Sequence, residues 1–338
     1  ETYSFLKTEA KHLKIDFLVP CGQFLFLEKA ILNYIKKNAS EIDVIHFFHL
    51  TKETIYYALQ YIKYNPKGNI YIKMDVNNDS LEKGIRYSRK NIFNWFHKIK
   101  EKQFFKSITA ISTENPTSLA LLKKSFPLLK DKAFLLPNGV NNTFLKEQFP
   151  SVKSYSEKEN VILSVGRIGA DDKNFEMLLY AFSQSNLLNW KLIFVGPVEN
   201  DFDKKVADIL TQKPHLSNNI ILTGAIEDRT ELYEYYNKSK ICCLTSRLES
   251  FGITFIESMY FGNYVIGTKG MSSFNYISNN LELGSVVDAD DENSLSVLLK
   301  RKTNDEEMLA ENYLKAQEQI EDKFYWSKII KPLAQRLA

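Results

Sequence analysis

The sequence predicts an α/β protein with two parallel β-sheets, each part of a Rossmann-like domain. Short β-branched or aromatic runs alternate with longer helical segments in both halves of the chain, which is typical of βαβ units. Residues 241–244 are apolar throughout, as expected for a strand buried on both faces. The length of 338 residues corresponds to about two domains.

The first half contains five predicted strands separated by helical patterns. The strands are expected at residues 14–19, 43–48, 69–74, 107–112 and 133–137. Helical periodicity is seen at residues 27–37, 53–64 and 118–124. Residues 1–13 also have a helical pattern, and the loop after the first strand offers only Gly22.

The second half repeats the same order of elements. Its strands are expected at residues 160–165, 191–195, 219–223, 240–245, 264–267 and 285–287, with helices at 174–185, 201–210, 229–237 and 254–260. The turn signal Pro137-Asn138-Gly139 and the polar stretch 151–159, which is typical of a linker, indicate a boundary between domains 1–150 and 151–322. Ligands of such folds bind beyond the carboxyl ends of the strands.

The composition excludes several classes of protein. A net charge of +3, from 44 basic and 41 acidic residues, is no nucleic-acid signature. Three cysteines form neither a disulfide framework nor a zinc motif, so we expect a reducing cytoplasm. No apolar run reaches the roughly 18 residues of a membrane span, and no signal peptide is visible. The chain begins without Met, which is consistent with a trimmed start.

Two cations flank the loop after the first strand of the second domain. That strand ends at Gly166-Arg167, and Lys173-Asn174 opens the following helix. A helix N-terminus attracts anions, and an Arg fork beside a Lys point charge suits a diphosphate. The alternative is a solvated basic pair at a helix start.

Glu249 and Glu257 flank seven residues after the fourth strand of this domain. The first Glu is predicted in a loop and the second on the next helix. Gly252 between them allows the backbone to approach a ligand closely, and carboxylates accept hydrogen bonds from sugar hydroxyls. Each Glu alone is typical of an exposed charge, but the pair in its strand–loop–helix context favours a binding site.

This segment resembles the E-x7-E signature of retaining GT-B glycosyltransferases, family 4 in particular. The likeness covers nearly all of residues 133–337. It also includes Gly166-Arg167 with Lys173-Asn174, Phe194-Val195-Gly196, Thr223-Gly224, and residues 136–140, 261–267 and 324–326. The resemblance implies a GT-B fold, in which two Rossmann-like domains face each other across a cleft and a C-terminal helix, residues 323–338, crosses back to the first domain.

The resemblance also implies roles for single residues. Arg167 and Lys173 are expected to neutralise the donor diphosphate as the glycosidic bond breaks, Glu249 to contact the donor sugar, and Glu257 to hold the ribose. The residues expected to bind the donor are Gly166, Arg167, Lys173, Gly196, Ser250, Phe251, Gly252, Ile253 and Glu257. No metal ion is expected, because the cations take the place of a metal-binding Asp-x-Asp.

The first domain matches the family less well. Where family members often place a His, the strand at 69–74 is followed by Asp75, which is our candidate for the catalytic face. Its alternative is a turn cap, since Asn77-Asn78-Asp79 is turn-like. His46 and His49 end another strand and fit a partly buried position better than a ligand-binding one.

Residues 88–106 combine lysines and arginine with Phe and Trp. Such a helix can lie on an anionic membrane, and the alternative is an amphipathic helix that covers a sheet. A peripheral position on the inner face of the membrane would suit an enzyme that acts on lipid-linked sugars.

The resemblance implies a retaining hexosyl-type glycosyltransferase. It would move a sugar from a nucleoside diphosphate sugar, with UDP favoured over GDP, to a sugar, lipid-linked or protein acceptor in bacterial surface polysaccharide or glycoconjugate synthesis. A GT-B epimerase or phosphorylase is a second enzymatic interpretation. The alternative from another class is a catalytically silent GT-B subunit that binds a partner transferase or polypeptide.

Overall fold

The computed structural model describes residues 13–75, 81 and 93–338, and for residues 93–97 it describes the backbone only. Contacts divide the described chain into two units. One comprises residues 13–137 with 330–338 and is called here the four-stranded unit; the other comprises residues 138–329 and is called the six-stranded unit. The predicted domain limits, 1–150, 151–322 and 323–338, stay a prediction.

The four-stranded unit contains a short hairpin and a parallel sheet. Its strands are β1 (Gln23–Phe24), β2 (Leu27–Glu28), β3 (Val44–Phe48), β4 (Asn69–Met74), β5 (Ala110–Thr113) and β6 (Ala133–Leu135). Its helices are α1 (Lys29–Asn38), α2 (Lys52–Tyr64), α3 (Phe93–Ser107), α4 (Pro116–Ser125) and the last helix, α14 (Lys331–Leu337). Strands β3 to β6 lie side by side in chain order and are parallel, whereas β1 and β2 pair antiparallel.

Local sequence determines where the helices of this unit begin. The Thr51 hydroxyl accepts a hydrogen bond from the Thr54 N–H at the start of α2, 3.1 Å away. Asn115 caps α4 through the Ser118 N–H at 2.8 Å, and Pro116 occupies the first turn, where its missing N–H costs nothing. These caps place both helices directly after strands of the sheet.

The strand predicted at residues 14–19 is wrong. This run forms neither helix nor strand, and Phe17 and Val19 are 77% and 81% exposed. A β-branched, apolar run becomes a strand when it pairs with a neighbour and buries a face. Within the described part of the chain, residues 14–19 do neither, so their intrinsic preference has no effect.

The C-terminal helix packs on the four-stranded unit, as the GT-B resemblance implies. The Arg336 guanidinium lies over the Phe134 ring at 4.5 Å, and the Leu337 carbonyl accepts a hydrogen bond from the Asn69 amide at 3.5 Å. The end of the chain therefore lies against β4 and β6, two strands that are remote from it in sequence.

The six-stranded unit is a parallel sheet in the order β12-β11-β10-β7-β8-β9. Its strands are β7 (Glu159–Val165), β8 (Lys191–Val195), β9 (Ile220–Leu222), β10 (Ser239–Cys243), β11 (Tyr264–Thr268) and β12 (Gly284–Val287). Its helices are α5 (Asn142–Gln148), α6 (Phe175–Ser185), α7 (Phe202–Gln212), α8 (Arg229–Lys238), α9 (Ile253–Tyr260), α10 (Phe274–Ile277), α11 (Glu292–Thr303), α12 (Glu306–Lys323) and α13 (Trp326–Ile329). All strands predicted in this half are present, with slightly different ends.

Both faces of this sheet are buried. Val161 and Leu163 of β7 belong to one core cluster, which α8, α9 and α12 cover, whereas Ile162 belongs to the other, which α6, α7 and α11 cover. Successive side chains of a strand point to opposite faces, so a doubly covered strand is apolar throughout. The ends of the strands are consequently where polar side chains can gather.

The linker predicted at residues 151–159 lies within the six-stranded unit and contains a buried lysine. Lys158 is buried, and its ammonium donates to the carbonyls of Tyr236, Asn237 and Ser239 and to the side-chain oxygen of Asn263, at 2.8–3.3 Å. Burial lowers the pKa of Lys158 well below its usual value. A polar composition was misleading here, because the lysine binds carbonyls where α8 ends and β10 begins.

The predicted basic helix at residues 88–106 lies partly outside the described residues. Within α3, Phe104 and Phe105 are buried, whereas Lys98 and Lys100 are exposed. Among the described residues, no helix is both long enough and apolar enough to cross a membrane.

Candidate functional site

The predicted donor-site residues of the six-stranded unit lie in loops at the carboxyl edge of its sheet. Gly166 and Arg167 follow β7, Gly196 follows β8, and Glu249 lies in the loop between β10 and α9. Lys173 precedes α6. Because parallel strands all end at the same edge, loops distant in sequence meet there.

Lys173 and Glu249 are in direct contact. The Lys173 Nζ lies 2.6 Å from Glu249 Oε2, and the two side chains are 24% and 20% exposed. Asp172 is a second carboxylate near the same ammonium, at 3.9 Å. The structure thus joins the cation of one predicted motif to the carboxylate of the other, with an accessible face left for a ligand.

Arg167 is more exposed than Lys173. Its guanidinium lies 3.1 Å from Asp172 and 3.5 Å from Glu199, with 55% of the side chain accessible. Exposed ion pairs of this kind contribute little to stability. A diphosphate could therefore replace these carboxylates at small energetic cost.

Gly196 allows the loops after β7 and β8 to touch. A Cβ at Gly196 would lie 1.8 Å from the carbonyl oxygen of Gly166, and the residue has φ +142°. The Gly166 N–H donates to the Val195 carbonyl at 3.0 Å. Sequence analysis expected Gly196 to bind the donor; its observed contact is with the backbone of Gly166.

The start of α9 presents backbone donors beside Glu249. Gly252 has φ +88°, Phe251 is buried, and Ile253, the first helical residue, is 48% exposed. The first N–H groups of any helix have no intrahelical acceptor. The Ser250 carbonyl accepts hydrogen bonds from the hydroxyls of Ser272 and Ser273 at 2.8 and 2.7 Å, which fixes this loop.

Glu257 is buried on α9 and held by α8. Its carboxylate accepts a hydrogen bond from Arg229 Nη2 at 2.7 Å and from the hydroxyls of Tyr233 and Tyr236 at 3.2 Å. Burial, and then the Glu257 charge, raise the pKa of Tyr236 well above its usual value, so this tyrosine stays a donor. Arg229 is 39% exposed at its side chain and forms the outer side of this group.

Sequence analysis missed a clamp formed by Arg247 and Asp290. The Arg247 guanidinium contacts Asp290 at 2.6 Å, the Asn174 side-chain oxygen at 2.9 Å and the Asp171 carbonyl. Asp290 also accepts a hydrogen bond from the Asn174 amide at 3.0 Å. The Arg247 hydrogen bond lowers the pKa of Asp290 and keeps it ionised. The sequence offered one signal for this clamp, which is that both residues closely follow predicted strands.

Asp75 and the two histidines belong to the four-stranded unit. Asp75 follows β4 directly and is exposed. Burial, and then the charge of Lys73, lower the pKa of His46, whose ring stacks on Tyr71 at 4.7 Å. His49 has φ +64°, and its Nδ1 is buried without a hydrogen-bond partner among the described residues.

The described residues contain no group of three or more His, Cys, Asp or Glu side chains that could hold a metal ion. Their cationic side chains at the carboxyl edge of the six-stranded sheet include Arg167, Lys173, Arg247 and Lys269. Arginine and lysine side chains form strong charge-assisted hydrogen bonds to phosphate.

The family model for glycosyl transferases group 1 matches residues 146–319, more than half of the chain. In Campylobacter jejuni, an α-1,4-N-acetyl-D-galactosaminyltransferase acting on GalNAc-α-(1→4)-GalNAc-α-(1→3)-diNAcBac-PP-undecaprenol is 30% identical over 197 residues, 53% of this chain and 50% of that relative. The chain thus spans about half the length of this curated relative. A second transferase of that organism, the N-acetylgalactosamine-N,N'-diacetylbacillosaminyl-diphospho-undecaprenol 4-α-N-acetylgalactosaminyltransferase, is 23% identical and covers 86% of this chain and 75% of its own length.

Solved structures agree on the fold. A glycosyltransferase from Rickettsia africae has a TM-score of 0.74 at 17% identity and covers 99% of this chain and 87% of its own. HepE from Anabaena, in complex with UDP and glucose, has a TM-score of 0.71 at 16% identity, with coverages of 97% and 87%. The family match and this likeness together confirm the resemblance seen in the sequence: the chain is a member of the glycosyl transferases group 1 family and has the GT-B fold.

Proposed function

We propose that this chain transfers a hexosyl group from a nucleoside diphosphate sugar to a lipid-linked glycan, with retention of the anomeric configuration. The observation that carries the proposal is the 2.6 Å contact between Lys173 and Glu249. A donor whose phosphate lies at Lys173 would bring its sugar hydroxyls to Glu249, so the bond to be broken would lie beside both groups.

The cations act on the leaving group. As the bond between the anomeric carbon and the phosphate oxygen breaks, negative charge grows on the diphosphate, and Lys173 and Arg167 stabilise it. The new bond forms between the acceptor oxygen and the anomeric carbon. In a retaining reaction the acceptor approaches from the side of the departing phosphate, whose oxygen can take the acceptor proton. Asp75 remains our candidate for the acceptor side.

UDP is the favoured nucleotide. HepE is known in complexes with UDP and with UDP-glucose, and TarM from Staphylococcus aureus in a complex that includes UDP. Under this proposal Glu257 holds the ribose, with Arg229 and Tyr233 orienting its carboxylate. The proposed contacts to the sugar and to the ribose then come from the loop before α9 and from α9 itself.

A lipid-linked acceptor is favoured by the relatives. Both Campylobacter transferases act on sugars carried by undecaprenol diphosphate. We therefore place the reaction in bacterial glycoconjugate synthesis, in the cytoplasm and at the inner face of the membrane.

The test is a panel of sugar nucleotides. We expect one UDP-sugar to raise the melting temperature and to release UDP slowly in water and faster with a lipid-linked acceptor. Glu249→Ala should lower the release of UDP by about a hundredfold while the melting temperature changes little. Release without any change in Glu249→Ala would contradict the assigned site. If no sugar nucleotide binds or reacts, a catalytically silent subunit becomes the better interpretation.

A further inference from the structure

The β1–β2 hairpin has a fixed base and an apolar tip. At the base, the Phe26 ring packs edge-on against Tyr56, with ring centroids 5.2 Å apart, and the Glu28 N–H donates to the Tyr57 hydroxyl at 2.7 Å. At the tip, Phe24 and Leu25 are 58% and 76% exposed. The helix α2 thus holds two large apolar side chains in water.

The residue at the turn is unfavourable in two ways. Leu25 has φ +59°, a left-handed conformation that two-residue hairpin turns usually give to Asn or Gly. Leu is penalised there by its Cβ and again by its exposed side chain. A turn whose role was only to reverse the chain would be more stable with Asn. The apolar side chain at this position therefore indicates that it binds a ligand.

The hairpin forms one wall of an apolar pocket of about 340 Å³. Leu27, Leu32, Tyr56 and Leu59 line it together with the tip. Tyr64, which also lines the pocket, is 36% exposed. The volume of the pocket is sufficient for a short hydrocarbon chain, and its lining includes the exposed side chains of Phe24 and Leu25.

The described charged side chains that line this pocket are all positive. Lys36 of α1 and Lys100 of α3 line it, and no Asp or Glu is among its described lining residues. The Lys63 ammonium lies over the Tyr64 ring at 5.5 Å. Glu28 is occupied as the cap of α1, where it accepts from the Ala30 N–H at 3.3 Å. Glu53, in the first turn of α2, and Glu101, beside Lys100, are the other carboxylates on these helices.

We propose that the hairpin surface, defined by Phe24, Leu25, Lys36, Tyr64 and Lys100, docks on an anionic lipid bilayer. Phe24 and Leu25 enter the boundary between headgroups and acyl chains, and the lysines meet headgroup phosphates. Apolar side chains ringed by lysines fit such an interface, because it offers hydrocarbon and negative charge at adjacent depths. This surface differs from the predicted one at 88–106, since the hairpin and α1 supply its apolar tip and one of its lysines.

The experiment is co-sedimentation of the full chain with vesicles of phosphatidylcholine, with or without phosphatidylglycerol. We expect binding to the anionic vesicles that weakens as salt is added. Leu25→Asn should weaken it about tenfold, because a large apolar group no longer enters the bilayer. The same variant should melt at an equal or higher temperature, since Asn tolerates the positive φ. Replacing Lys36 and Lys100 by Gln should cost about fivefold for each lysine.

Matched controls lie on the six-stranded unit. Leu314 and the Lys315 side chain are each 62% exposed on α12, so Leu314→Asn and Lys315→Gln remove the same groups elsewhere. Equal binding to neutral and anionic vesicles, no binding at all, or equal losses in the controls would overturn the proposal. UDP release without vesicles should be unchanged in Leu25→Asn, which separates this test from that of glycosyl transfer.

Discussion

Lys173 and Glu249 neutralise each other across two loops of the six-stranded unit. Under the proposed function, a donor diphosphate would be a second anion for Lys173, and Glu249 would exchange the ammonium for sugar hydroxyls when the donor binds. Solvent-exposed ion pairs contribute only about 0–1 kcal/mol to stability, and for a more buried pair such as this one the cost of desolvation offsets much of the attraction. The pair is therefore better explained by ligand binding than by folding.

This view predicts the effect of Lys173→Ala. Removal of a cation that stabilises the leaving group should lower kcat/KM for the donor by about 10²–10³-fold. The free energy of unfolding should change by no more than about 1 kcal/mol. Both quantities can be measured by steady-state kinetics and urea titration.

Lys205 and Glu176 provide the matched control for Lys173. They form a comparable Lys–Glu pair at 2.8 Å in the same unit. Lys205→Ala should leave kinetics unchanged and alter stability to a similar small extent. Equal kinetic losses in the two variants would show that Lys173 has no special role.

At the scale of elements, the Arg247–Asp290 clamp connects three loops. Its residues follow β10 and β12, and their shared partner Asn174 ends the loop that carries Lys173. The Arg247 N–H also donates to the Asp172 carbonyl at 2.9 Å. Arg247 and Asp290 are thus positioning residues for the cation before α6.

Asp290→Asn should loosen the clamp without breaking the fold. We expect KM for the donor to rise about tenfold, with kcat less affected, because the loop spends less time in the binding geometry. Asp288→Asn is the control, since Asp288 pairs with Lys269 at 2.9 Å on the neighbouring surface. A fall in kcat with constant KM would contradict the positioning role.

At the scale of the whole molecule, the chain returns to its first sheet at the end. Residues 330–338 belong to the four-stranded unit, although residues 138–329 form the other one. The four-stranded unit therefore needs a segment about two hundred residues away in sequence. The stability of the four-stranded unit is thus coupled to the C-terminal end of the chain.

Truncation after Ile329 tests this coupling. Hydrogen exchange should become faster in β4 and β5, because Asn69 and the β5 face lose the contacts of α14. Exchange in β10 and β11 should stay slow. Uniform loss of protection in both units would show instead that the whole molecule unfolds as one.

Much of the six-stranded unit was predictable from the sequence. The centres of its strands are mostly apolar because helices cover both faces, and this pattern is local information. The position of Lys173 and Glu249 at the carboxyl edge of the sheet was predictable as well, because both follow strand ends, whereas their roles and that of Glu257 stay a prediction. The GT-B fold followed from these motifs and is confirmed by the comparisons.

Other features depended on partners that are remote in sequence. Residues 14–19 have the composition of a strand but pair with no other strand in the described chain. The polar stretch before β7 contains a buried Lys158, whose hydrogen-bond acceptors lie about eighty residues away. The clamp of Arg247 and Asp290 joins loops 43 residues apart. The sequence by itself determined which residues form the strands and their polar ends, because backbone preference and burial pattern are local. Only the tertiary structure decided which of those ends meet, because that depends on the order of strands in the sheet.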